Sequence, residues 1–163
     1  MSTATPAPLA PYKAAIDHSW IDYNGHLRDA YYGLIFSYAT DDMMDQLGLD
    51  AGYRARTACT LYTLELHLHY LHEVKASDEL SVQALILDAD RKRIHAGGLF
   101  RCPRVAEPVA VAEAMLLHVR QGATPATASF PESIGQRLQA LKLSPDAAAD
   151  FGPQSRRIEI RRR

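Results

Sequence analysis

Two cysteines and a net charge of −1 are what this chain offers of sulfur chemistry and of charge imbalance, and each scarcity excludes something. Cys59 and Cys102 form no CxxC pair, have no metal-ligand spacing and sit in apolar stretches. Buried free thiols are expected, with no disulfide framework and no sign of an oxidising compartment. A nearly neutral chain has no overall field to hold nucleic acid. The exception, Arg156-Arg157 with Arg161-Arg162-Arg163, reads as a solvated terminus. No apolar run approaches the length of a membrane-spanning helix. Residues 1–11 hold three prolines and no basic stretch followed by an apolar one, so they read as a flexible arm and not as a secretory signal. The expected location is the cytoplasm.

What remains is a globular pattern. With 163 residues, 47% of them hydrophobic, the chain can bury one core without disulfides. The expected layout is the arm over residues 1–11, a single domain over 12–143 and a tail over 144–163. Residues 12–17 suit a short first strand. An Asp/Asn/Gly-rich loop follows at 20–28, where Asn24-Gly25 marks a turn because both residues tolerate a left-handed backbone. Residues 30–40 then carry no charge, and Tyr31, Leu34, Ile35, Tyr38 and Ala39 recur at helical spacing. Asp29 as N-cap and Gly48 as C-terminal stop make 29–47 a long buried helix, with Asp41, Asp42 and Asp45 reaching solvent at its far end.

Strand character takes over next. In 61–71 the residues alternate, with Tyr62, Leu64, Leu66, Leu68 and Tyr70 on one face and Thr63, Glu65, His67 and His69 on the other. Residues 80–87, 93–102 and 109–119 are further strands. Turn-like segments at 75–78, 88–92 and 103–108 separate them, which predicts an antiparallel meander. Residues 131–143 have a helical pattern that opens on proline. A strand, a loop, a buried helix and several antiparallel strands make an α+β layer arrangement.

The loop carries the chemistry. A carboxylate in such a loop can attack a carbonyl carbon directly or activate water to do so. Hydrogen-bond donors must then hold the charge growing on the carbonyl oxygen. A loop feeding the start of a helix can supply both, because the first N–H groups of the helix are unpaired and carry the positive end of its dipole. The ordinary reading of an Asp-x-Asn-Gly loop is a turn whose side chains bond nearby N–H groups.

Asp22-Tyr23-Asn24-Gly25-His26, followed by Asp29 and Tyr32, resembles the loop before the central helix in the 4-hydroxybenzoyl-CoA thioesterase family. It is also similar to the Asp-x-Asn-x-His arrangement of plant acyl-ACP thioesterases. With the element order, this resemblance runs from about residue 12 to residue 120 and implies the hotdog fold, a curved antiparallel sheet wrapped around one long helix. Residues 20–32 and 70–75 look like those of the thioesterases associated with carnitine breakdown, which act on betainyl-CoA. The resemblance implies Asp22 as nucleophile or general base, Asn24 and His26 as orienting groups or donors to the oxyanion, and Gly25 as the point of close backbone approach. The N–H donors would lie near Asp29 and Ala30. Coenzyme A would be part of the substrate, with no separate cofactor. The partner would be a second copy in a homodimer, a homotetramer being the alternative.

Other residues invite roles. Trp20, Tyr23 and Tyr31 offer ring faces to a trimethylammonium group, and Glu65 offers a negative charge. Core packing and an exposed strand carboxylate are the competing readings. His67, His69 and His72 lack a third ligand at suggestive spacing, so no metal is expected. Arg91-Lys92-Arg93 reads as a hairpin tip or as a contact for CoA phosphates. Asp41 and Asp42 are a second carboxylate candidate. Two functions compete with hydrolysis: binding of acyl-CoA without turnover, and hydration of an enoyl thioester.

Overall fold

In a computed structural model, which describes residues 7–151, the elements follow the expected order. They are β1 (Tyr12–Ala14), α1 (Asp29–Leu47), α2 (Ala51–Thr57), β2 (Cys59–Tyr70), β3 (Leu80–Ala89), β4 (Arg93–Arg101), β5 (Ala110–Arg120), β6 (Ala126–Thr127), α3 (Glu132–Leu141) and α4 (Pro145–Ala149). One antiparallel sheet runs β1-β3-β4-β5-β2, with β6 added beside β5. The core lies between this sheet and α1, where Tyr32, Ile35, Phe36, Ala39, Met43 and Leu47 are buried.

The meander holds for β3, β4 and β5 but not for β2. β2 pairs with β5 at the far edge and never meets β3, so residues 71–79 cross the sheet instead of forming a hairpin. They cross at the start of α1, where Leu27 N donates to Val74 O and His26 bridges Lys75. The crossing segment is therefore pressed against the loop that carries Asp22.

The faces of β2 also differ from strict alternation. Thr63 pairs with Leu116 and Glu65 with Met115, so a bulge falls at Leu64 and the faces swap there. Leu61, Thr63, Leu66, Leu68 and Tyr70 share the helix-facing side of the sheet. Tyr62 is on the outer side with Glu65, His67 and His69. An inserted residue shifts the period by one, and a strand with apolar residues on both sides of the bulge hides the shift.

The ends of α1 follow capping rules with one change. Gly48 takes the left-handed conformation, φ 89°, that stops the helix. Arg28, not Asp29, is the N-cap, and Asp29 is the first helical residue with its carboxylate accepting from Ala30 N at 2.9 Å. Residues 48–60 held a further helix, α2, capped by the Asp50 carboxylate on Tyr53 N.

Both flanks of the domain are anchored where they are described. Leu9 is buried in the core, and Ala10 exchanges two hydrogen bonds with the Gln46 side chain. At the other end α4 and Phe151 lie on the outer side of the sheet. The Phe151 ring covers Gly97 so closely that a Cβ there would stand 2.5 Å from it. The basic cluster of residues 156–163 and the first part of the arm lie outside the described residues. Among the described residues no helix is long and apolar enough to cross a membrane, and both cysteines are buried free thiols.

Candidate active site

The loop is a small closed hairpin. A 3-10 turn, His18–Trp20, opens it, with the Asp17 carboxylate accepting from Ser19 N. Trp20 O then accepts from Arg28 N at 3.0 Å and Ile21 bridges Leu27, so both ends of the loop are tied together just before α1 begins. Gly25 sits at the tip with φ 81°, a conformation that costs a side-chain-bearing residue and that glycine adopts freely.

Asp22 is held by backbone. Its Oδ1 accepts from Asn24 N at 2.8 Å and from His26 N at 3.0 Å. The bond from the His26 N–H is the main reason its carboxyl lies below the ordinary value of 3.8. Desolvation opposes that shift, while the Asn24 N–H and the charges of His26 and Arg28 add to it. Asn24 and His26 thus orient Asp22 through their amides, not through their side chains. Oδ2 accepts no hydrogen bond among the described residues, which leaves one oxygen of an ionised carboxylate open for a proton or a carbonyl carbon.

Beside it is the start of α1. Asp29 and Ala30 are exposed. The Ala30 N–H is already taken by the Asp29 carboxylate, whereas the Asp29 N–H meets no acceptor among the described residues. Of the two expected backbone donors, Asp29 N is the one open to an incoming oxygen. Tyr70, at the end of β2, donates its hydroxyl to Asp29 O at 3.2 Å and packs edge-on against Tyr32. Burial pushes the Tyr32 hydroxyl up to about 12, so it stays protonated beneath the site.

The other candidates divide. Trp20 and Tyr31 stack at 5.1 Å and 12°, forming one aromatic plate between loop and helix. Tyr23 projects from the loop, 93% exposed. Glu65 is not brought to the loop: it lies on the outer side of the sheet and bonds His67 at 2.7 Å. No group of three or more His, Cys, Asp or Glu that could hold a metal ion comes together among the described residues. Arg93 forms a two-pronged pair with Asp90 inside its own hairpin.

Sequence reasoning missed the clamp behind the loop. Arg104 donates to both oxygens of Asp78, at 3.1 and 2.9 Å, and to Glu73 O at 2.8 Å. Asp78 also accepts from Lys75 N. This fixes the crossing segment that pairs with His26 and Leu27. Only the topology reveals it, because 104 and 73–78 are far apart in the chain.

The loop thus presents a carboxylate pinned by two N–H groups next to an exposed helix start. The model of the thioesterase-like superfamily matches residues 16–138. The chain belongs to that superfamily. A betainyl-CoA thioesterase of Pseudomonas aeruginosa is 43% identical over 133 residues, 82% of this chain and 83% of the relative. An Agrobacterium fabrum protein named L-carnitine dehydrogenase/betainyl-CoA thioesterase is 37% identical over 82% of this chain, which spans 27% of that longer protein. Among solved structures, a candidate thioesterase of Pseudomonas putida KT2440 superposes with a TM-score of 0.75 at 38% identity, covering 96% of this chain and all of the other. A Staphylococcus aureus protein solved in complex with CoA gives 0.77 at 29% identity, covering 88% and 91%. This superfamily member is a hotdog-fold thioester hydrolase acting on acyl-CoA.

Proposed function

We propose that the substrate is betainyl-CoA, cleaved to betaine and CoA, and that Asp22 delivers the attacking oxygen. The observation that carries the Asp22 role is its carboxylate, ionised and aimed by two amides while one oxygen stays open. Asp22 attacks the carbonyl carbon or takes a proton from the water that does, and the Asp29 N–H receives the carbonyl oxygen as it gains charge. The thiolate of CoA leaves without needing an acid. The relatives named for betainyl-CoA support the acyl group.

The active unit is a homodimer formed along β2. That strand is an open edge on which Tyr62, Leu64, Leu66 and Tyr70 are 38–57% exposed, which is a template for pairing with a second copy. Free buried thiols suit the reducing cytoplasm as its location.

The test is thiol release from a panel of betainyl-CoA, acetyl-CoA, a long-chain acyl-CoA and an aromatic acyl-CoA. Betainyl-CoA is expected to give the highest kcat/KM. A higher value on any other member of the panel overturns the substrate. Light scattering is expected to give twice the 18.1 kDa chain mass.

A further inference from the structure

Residues 20–28 form a hairpin in which Arg28 N donates to Trp20 O at 3.0 Å, Ile21 bridges Leu27, and Asp22 N donates to His26 O at 2.8 Å. Ile21 is extended, with φ −87° and ψ 135°, and both it and Leu27 pack on the core. Side chains alternate along an extended segment, so Trp20 and Asp22 project together on the side away from Ile21. Their Cα atoms, two residues apart, are separated by about 7 Å at strand spacing.

The Trp20 ring is held in place. It stacks on Tyr31 at 5.1 Å and 12°, and Tyr31 sits in the first turn of α1, where its N–H donates to Arg28 O at 3.1 Å. The stack takes one face of the indole, and Trp20 remains half-buried with part of its surface in solvent. The two rings therefore join the base of the loop that carries Asp22 to the helix start that carries the Asp29 N–H.

A trimethylammonium group has no N–H to donate. It is held by its charge and by contact with its methyl groups, and an indole face supplies both to a cation within about 6 Å of the ring centroid. In a betainyl thioester a single methylene separates the ammonium from the carbonyl carbon. With that carbon at Asp22 and its oxygen at the Asp29 N–H, the ammonium comes within reach of the next residue along the same side of the hairpin, which is Trp20. Tyr23 is 93% exposed, so water screens a cation on its ring. Glu65 lies on the outer side of the sheet with His67. Charge alone does not make this corner choose a cation, because Arg28 stands across the hairpin from Trp20 and offsets part of the negative charge of Asp22 and Asp29. The discrimination falls to the ring.

Building on the betainyl-CoA reading above, we propose that the free face of the Trp20 indole receives the trimethylammonium group, and that Trp20 is the residue by which the site selects a cationic acyl group. Tyr31 is a positioning residue that backs the ring.

The test compares betainyl-CoA with 3,3-dimethylbutanoyl-CoA, in which carbon replaces the charged nitrogen at equal shape. The wild-type ratio of the two kcat/KM values is expected to favour the cation. In Trp20→Leu the ratio is expected to fall about five- to thirtyfold, the worth of a partly desolvated cation on a ring, and Trp20→Phe, which keeps a weaker ring face, is expected to fall between the two. Turnover of the neutral substrate should be largely retained in both variants, which shows that the loop is intact. A wild type without the preference overturns the substrate reading and this proposal with it. A preference that survives in Trp20→Leu overturns this proposal alone. So does a variant that loses both substrates alike, which would make Trp20 a packing residue or a platform for the adenine that both substrates carry. A Trp20→Phe ratio no better than that of Trp20→Leu also overturns it, because a ring face would then not be what holds the cation.

Discussion

Asp22 and His26 are tied to each other twice: Asp22 N donates to His26 O at 2.8 Å, and His26 N donates back to Asp22 Oδ1 at 3.0 Å. The same residue that closes the loop thus also aims the carboxylate. In Asp22→Asn the amide oxygen can still accept both N–H bonds, so the loop should survive while the charge is lost. Thiol release is expected to fall by about 10²–10⁴-fold, the usual worth of a positioned base, with thermal unfolding unchanged. Turnover within a few-fold of wild type would remove Asp22 from the mechanism.

The same bonds set a pH dependence. Asp22 in the folded protein titrates below its ordinary 3.8, so the ionised form persists above that value and is lost as pH falls through the lowered one. The kcat/KM profile is expected to stay level from neutral pH down toward 3.8, with its acid midpoint below that point. Circular dichroism at each pH identifies the range in which the chain is folded. An acid limb centred above 3.8 in folded protein means that another group controls activity.

Behind the loop, Arg104 holds the Asp78 carboxyl down at about 2, chiefly through their hydrogen bonds. An unfolded aspartate titrates near 3.8. Asp78 therefore contributes its full stability above 3.8 and loses it as pH falls through about 2. With Arg104 partly exposed, the pair is worth about 1 kcal/mol after screening. Arg104→Ala is expected to lower the unfolding free energy measured in urea by that amount at neutral pH and to flatten its decline in acid. It should also lower kcat/KM, because the released segment is the one that pairs with His26 and Leu27. Wild-type kinetics in that variant would separate the clamp from the site.

Much of this was legible in the sequence, and what was not has physical causes. Asn24-Gly25 and the uncharged run after Asp29 marked the loop and helix because local backbone preference and burial agree there. The bulge at Leu64 was hidden because leucine and tyrosine occur on both sides of it, so residue type does not report the swap of faces. The position of β2 beside β5 depends on contacts between distant segments, which no local pattern encodes. Asp29 reads as a cap by type, yet it sits one position inside the helix and covers the Ala30 N–H that the sequence offered as a donor.

Packing between α1 and the sheet makes a prediction of its own. A Cβ built on Gly98 would stand 2.5 Å from the Phe36 ring, and Phe36 is held in turn against Phe100. Glycine at 98 is what lets the central helix lie close to β4. Gly98→Ala is expected to cost about 1–3 kcal/mol, the range for an overpacked core, read from urea unfolding. A neutral effect would mean that α1 can shift away from the sheet without penalty.

A polar contact seals the end of the core opposite the Asp22 loop. His118 is buried on β5, with Nδ1 2.9 Å from Ala128 O and Nε2 2.8 Å from the Tyr53 hydroxyl. A carbonyl can only accept, so Nδ1 carries the proton, and in the neutral ring Nε2 accepts from Tyr53. Phe130 packs on the imidazole at 4.6 Å and keeps it from turning. Tyr53→Phe leaves Nε2 buried without its donor, at a cost of about 1–3 kcal/mol. The chain should unfold at lower urea with its kcat unchanged, since α2 and the β5 end stand apart from the Asp22 loop. A fall in kcat without a fall in stability would instead place this contact in communication with the site.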